Sequence, residues 1–138
     1  MILKFAEMED KEFVMSLDRH VSDVQYRRRI LAKGGYVMRE SDNPVGVLSF
    51  CVLWDNVPFL NHLCVKEECR GCGYGLEAMR LWEQNMKAQG YKMVLISTQV
   101  DESAQNFYRR IGYIDCGGLM FYDTPLDQPM EMFMRKVL

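Results

Sequence analysis

Residues 63–76 are where this sequence concentrates its chemistry. Leu63, Cys64 and Val65 read as the end of a hydrophobic strand, and Arg70-Gly71-Cys72-Gly73-Tyr74-Gly75 as a glycine-rich turn that enters a helix at Leu76. Glycines at alternate positions let the backbone come close to a bulky ligand. The N–H groups at a helix start point one way, where the helix dipole also favours negative charge. Together these features make a phosphate cradle. Spacing excludes two common nucleotide loops: G-x-G-x-x-G would need glycine where Leu76 stands, and G-K followed by Ser or Thr occurs nowhere in the chain.

A second candidate stretch follows, Ser103-Ala104-Gln105-Asn106-Phe107-Tyr108-Arg109-Arg110-Ile111-Gly112-Tyr113. Arg70-x-x-Gly73-x-Gly75 after a hydrophobic strand, followed by this second motif, resembles the two signatures of the GNAT N-acetyltransferase superfamily, the first being its acyl-CoA pyrophosphate loop. The resemblance in element order runs over nearly all 138 residues. It implies an α/β (α+β) fold: a mixed, mostly antiparallel central sheet of six to seven strands flanked by about four helices. It also implies that this sheet is splayed between two parallel central strands, residues 59–65 and 93–98, with acetyl-CoA as cosubstrate in the opening.

The same resemblance implies roles residue by residue. Leu63, Cys64 and Val65 match the strand whose free backbone groups bond the pantetheine amides, and the backbone of Arg70, Gly71, Cys72, Gly73, Tyr74 and Gly75 matches the pyrophosphate site. Arg70 stands where the family has Gln or Arg and would add charge-assisted bonds to a phosphate. Ser103, at a helix start, would contribute its N–H or hydroxyl. Asp101 stands where many members carry Asn, which removes an amide donor. Tyr108 matches the tyrosine close to the cofactor sulfur, and a phenol of reference pKa near 10 can serve a departing thiolate as acid.

An alkylammonium has no lone pair with which to attack, so a base or water chain must take its proton. Members that use a side chain place Glu or His on the strand before the loop, where this chain has Phe59 and Asn61. Asn61 is no base, but it could hold a water or orient the amine. His62 points to the opposite face by strand alternation and reads as structural. A backbone N–H near Leu63 would meet the oxyanion.

These motifs must be positioned by the surrounding elements. Residues 2–5 read as a strand, and Glu9-Asp10-Lys11-Glu12 opens a helix with acidic residues where the dipole prefers them. Ser22 and Gln25 match a capping box, and this second helix is expected to end at Gly34-Gly35. Arg27-Arg28-Arg29 reads as a solvated face, since three consecutive helical residues diverge. Residues 36–40 and 45–54, joined by Ser41-Asp42-Asn43-Pro44, read as a hairpin, with Asp55-Asn56 as a second turn.

Gly75, Ala78, Met79, Trp82 and Met86 recur at helical spacing as a core face, and Gly90 marks that helix's end. Asp101 is the expected N-cap of the helix that carries Tyr108. Residues 114–122 and 131–137 read as closing strands, with Met130, Met132, Phe133 and Met134 serving either the core or the interface of a homodimer.

Length and composition frame this reading. With 138 residues, 49% hydrophobic and 26% charged, one domain spanning 1–138 is expected. A net charge of −2 gives no global attraction to nucleic acid or to an acidic membrane surface. Five cysteines without a framework spacing suit reduced thiols and a cytoplasmic location. The N-terminus lacks the pattern of a signal peptide. Cys69-Arg70-Gly71-Cys72 is a C-x-x-C without the second pair that zinc would want, so no metal is expected.

The expectation is therefore an N-acetyltransferase acting on a small-molecule amine or a protein amine by direct attack in a ternary complex. The alternative is a non-catalytic acyl-CoA sensor or interaction module, suggested by the missing carboxylate at Phe59. Asp18, Asp23, Asp55 and Asp123 are candidates to meet the ammonium.

Overall fold

The computed structural model describes residues 1–138. It contains seven strands: β1 (Ile2–Phe5), β2 (Gly35–Glu40), β3 (Asn43–Leu53), β4 (Val57–Val65), β5 (Met93–Gln99), β6 (Ile114–Leu119) and β7 (Glu131–Val137). Four α-helices accompany them: α1 (Lys11–Leu17), α2 (Asp23–Leu31), α3 (Tyr74–Ala88) and α4 (Ala104–Arg110). The strand order is β1-β2-β3-β4-β5-β7-β6, mostly antiparallel with β4 and β5 parallel, as the resemblance implies. Two compact units divide the chain: Met1–Cys51 with Leu60–Asn85, and Val52–Phe59 with Met86–Leu138.

In the first unit, α2 starts where its capping box predicts. The Gln25 N–H donates to Ser22 Oγ at 3.2 Å, and the Ser22 N–H donates to Gln25 Oε1 at 2.8 Å. Tyr26 is fully buried, and its hydroxyl donates to the Glu7 carbonyl at 2.6 Å. That bond ties α2 to the turn before α1.

The end of α2 departs from expectation. Lys33, with φ 50°, supplies the left-handed residue, and Gly35 already belongs to β2. Gly34 is needed for space instead, because a Cβ there would lie 2.7 Å from the Phe50 carbonyl oxygen. Arg29 also leaves the solvated set: it donates to the buried Asp18 carboxylate at 2.9 Å, whereas Arg27 and Arg28 are exposed.

The β2–β3 hairpin turns on Ser41 and Asp42, so Asn43 and Pro44 belong to β3 rather than to the turn. Pro44 sits opposite Arg39 beside a register shift, a position where a missing N–H is tolerated. α3 presents Ala78, Met79, Trp82 and Met86 as fully buried residues, the predicted stripe. It closes with the Tyr91 N–H on the Met86 carbonyl and the Gly90 N–H on the Lys87 carbonyl, Gly90 having φ 94°. This is a Schellman motif, which satisfies the last carbonyls.

In the second unit, β5 and β7 pair antiparallel from Met93 opposite Val137 to Gln99 opposite Glu131. Val94, Ile96, Met132 and Met134 are buried, so Met132 and Met134 serve the core, whereas Met130 and Phe133 are half-buried. β6 stops at Leu119, three residues short of the expected end, and all six of its residues are exposed. The β3–β4 connection turns at Trp54 and Asp55, which have φ 53° and 54°, and the Asn56 N–H bonds the Leu53 carbonyl at 3.0 Å. Two successive left-handed residues are the type I′ hairpin geometry, here without glycine.

Candidate active site

In the first unit, Asn61, Leu63, Cys64 and Val65 stand on β4, and Arg70, Gly71, Cys72, Gly73, Tyr74 and Gly75 run from the following turn into α3. β3 approaches β4 closely beside them. A Cβ on Gly46 would lie 2.6 Å from the Cys64 carbonyl oxygen and 3.1 Å from Val65 Cα, so only glycine lets the two strands meet here. The Lys66 N–H bonds the Val45 carbonyl at 2.8 Å, which fixes the point where the chain leaves the strand.

Gly71 and Gly73 have φ 79° and 84°, and the space where each would carry a Cβ is open. These are conformations L side chains rarely adopt, held above an uncrowded face. α3 then begins at Tyr74, and the first N–H groups of a helix have no partner within it. Open backbone donors at the head of a 15-residue helix fit a pyrophosphate. Arg70 is exposed, and its Nε–H donates to the Val65 carbonyl at 3.3 Å, which links the loop to the strand end. The guanidinium's other donors can still serve a phosphate.

Asn61 is exposed, and Cys51 Sγ donates to its Oδ1 at 3.5 Å. His62 Nε2 lies 3.1 Å from the Leu17 carbonyl oxygen. A carbonyl only accepts, so Nε2 carries the proton, and the ring has the structural role its strand face predicts.

In the second unit, Tyr108 stands on α4 and is 8% exposed. Its ring meets Phe107 and Tyr113 edge to face, with centroids 5.1 and 5.7 Å away. Burial first, and then the field of Glu102, push its phenol up to about 12. At neutral pH the group is therefore a protonated donor. It holds its proton more tightly than a thiol of reference value near 8.5 does, which suits a hydrogen bond to sulfur better than outright proton release.

The expected cap of α4 is corrected. Ser103, not Asp101, is the N-cap residue, and its hydroxyl makes no capping bond. Asp101 lies in the preceding turn because Gln105 organises that turn, its side-chain amide donating to the carbonyls of Val100 and Glu102 at 2.8 and 2.9 Å. Glu102 itself escaped the sequence reading. Thr98 Oγ1 donates to its carboxylate at 2.9 Å, and the only signal in the sequence was the four-residue spacing across the strand end.

The second unit also holds an apolar groove of about 650 Å³, lined by residues that include Trp54, Phe59, Leu95, Leu119 and Phe133. Phe59 packs on Phe133 with ring centroids 5.8 Å apart. The position that could have carried a carboxylate thus belongs to an apolar wall. Of the candidate ammonium partners, Asp18 is held by Arg29 and Asp23 by Lys11 at 2.7 Å, which leaves Asp55 and Asp123 exposed.

No curated protein matches the sequence. Solved structures share the fold. Ard1 from Thermoplasma volcanium has a TM-score of 0.87 at 16% identity, covering 99% of this chain and 97% of that one. Arabidopsis thaliana Naa50, solved with the bisubstrate analogue CoA-Ac-MVNAL, has 0.81 at 15%, covering 99% and 98%. The ribosomal-protein-alanine N-acetyltransferase from Brucella melitensis has 0.80 at 15%, covering the whole of both chains. The family model described as "Acetyltransferase (GNAT) family" matches residues 2–113. That span takes in β4, the glycine turn and Tyr108, and the chain belongs to the GNAT acetyltransferase family.

Proposed function

We infer that this protein moves an acetyl group from acetyl-CoA to a primary amine by direct attack in a ternary complex. The observation that carries this reading is the open turn at Gly71 and Gly73, set between β4 and the head of α3. When bound, acetyl-CoA supplies the activated acyl group. The backbone of Leu63, Cys64 and Val65 holds the pantetheine arm, Arg70 through Gly75 hold the pyrophosphate, and Ser103 adds a hydrogen bond. Tyr108 donates a hydrogen bond to sulfur as the thiolate departs. Asn61 orients the amine or a water that takes its proton, since no carboxylate stands at Phe59.

Trp54 supports an acceptor whose amine is carried on an apolar body. It is 80% exposed, lines the groove, and is held at φ 53°, a strained conformation for a bulky residue. Asp55 beside it offers a charge for the ammonium. Both small amines and peptide N-termini satisfy this chemistry, and Naa50, with its peptide-bearing bisubstrate analogue, is a precedent within the fold.

Calorimetry with acetyl-CoA, followed by turnover on apolar and polar amines and on peptides, tests the reading. Tyr108→Phe is expected to lower kcat about 10²-fold, the low end for losing one hydrogen-bond donor to developing charge, while lowering acetyl-CoA affinity much less. Wild-type turnover in that variant overturns the role given to Tyr108. The second reading, a non-catalytic acyl-CoA sensor, is favoured by the aromatic wall at Phe59. Tight acetyl-CoA binding without turnover on any amine would establish it.

A further inference from the structure

Cys69-Arg70-Gly71-Cys72 lacks the second pair that zinc would want, but the fold gives its spacing a geometry of its own. Arg70 has φ −68° and ψ 155°, and Gly71 has φ 79°. Arg70 and Gly71 are both turn residues, and an extended residue followed by a glycine at positive φ is the order of a type II β-turn, whose second central position demands positive φ. Cys69 and Cys72 flank this turn, and the outer residues of a β-turn lie less than about 7 Å apart between Cα atoms. A disulfide spans about 4.4–6.8 Å between Cα atoms. Both thiols are free, Cys69 half-buried and Cys72 exposed. Cys72 Sγ lies 3.9 Å from the Arg70 carbonyl oxygen, folded back over the turn, and the space beside Gly71 is open.

We propose that Cys69 and Cys72 form a modification site, a dithiol that a hydroperoxide converts into a disulfide across this turn, with loss of acetyl-CoA affinity. The Cys72 thiolate attacks one peroxide oxygen and breaks the O–O bond. Sulfur becomes a sulfenic acid, and the other oxygen leaves as water or an alcohol after taking up a proton. The Cys69 thiol then attacks the Cys72 sulfur and gives up its proton, and the sulfenic oxygen departs as water. Two thiols and one hydroperoxide thus yield one disulfide, one water, and one further water or alcohol. Two electrons pass to the peroxide.

The effect on affinity rests on the cofactor reading above. The small ring fixes Cys72 and the Gly73 N–H, groups assigned to the pyrophosphate, so they cannot adjust to it. By reciprocity, bound acetyl-CoA shifts the dithiol–disulfide equilibrium toward the dithiol by the same factor. Cys69 is not among the residues assigned to the cofactor, so Cys69→Ser removes the disulfide without touching those contacts.

The experiment treats the full chain with hydrogen peroxide, maps cysteine pairs by peptide mass, and measures the acetyl-CoA Kd by calorimetry before oxidation, after it, and after reduction by dithiothreitol. The expected result is a Cys69–Cys72 disulfide and a Kd at least about fivefold weaker, the low end of ordinary coupling. The change should reverse on reduction and be absent in Cys69→Ser. Separate sulfinic acids, pairing with Cys51, Cys64 or Cys116, or an unchanged Kd after full disulfide formation would overturn it. If reduced wild-type protein fails to bind acetyl-CoA, the cofactor reading falls, and the mass map alone still decides whether the site exists.

Discussion

Burial lifts the phenols of both Tyr26 and Tyr108 to about 12. The folded chain therefore holds these protons more tightly than the unfolded chain does, and the stability this contributes is complete below about pH 10. It is lost as pH rises from the ordinary phenol value through about 12. Equilibrium unfolding measured across that range should show stability falling together with phenolate absorbance, and Tyr108→Phe should flatten part of the fall. An unchanged slope in the variant would refute the coupling. The helix that carries Tyr108 was legible in the sequence because its apolar stripe and closing glycine lie within one short stretch. Glu102 and the Arg29–Asp18 pair were not, since each depends on a partner brought close by the fold: Thr98 for one, and the loop between α1 and α2 for the other.

At the scale of elements, legibility followed local chemistry. α3 and the start of α2 could be read because a stripe and a capping box each lie within one stretch of chain. Replacing the Ser22 cap by alanine should cost about 1 kcal/mol in denaturant unfolding. The end of α2, the reach of β6 and the turn at Trp54-Asp55 were misread, because neighbouring strands decide them and the left-handed positions fall on Lys33 and Trp54, which are not usual turn formers. Gly46 is the clearest such dependence. Gly46→Ala would drive its Cβ into the β4 backbone at Cys64 and Val65, where no flexible side chain can yield. The expected cost is about 1–3 kcal/mol, with weaker acetyl-CoA binding through displacement of β4. Full affinity in a folded Gly46→Ala protein would count against assigning Leu63, Cys64 and Val65 to the cofactor.

For the molecule as a whole, periodicity supplied the strands and helices and the family resemblance implied the parallel central pair, but the order β1-β2-β3-β4-β5-β7-β6 is visible only in the fold, since pairing partners far apart in sequence leave no local mark. Acetyl-CoA at 100 times its Kd should stabilise the folded chain by about 2.7 kcal/mol, which is visible as a higher Tm without any acceptor present. A Tm indifferent to acetyl-CoA would contradict the cofactor assignment.

The two tryptophans make such measurements separable by spectroscopy. Trp82 is fully buried in the first unit, whereas Trp54 stands 80% exposed on the groove of the second. Dissolved iodide should quench the red-shifted emission of Trp54 and spare the blue-shifted emission of Trp82. An amine entering the groove would shield the first signal, and loss of the α3 packing would shift the second. The chain thus carries its own pair of optical reporters, one for occupancy of the groove and one for unfolding, with no added label.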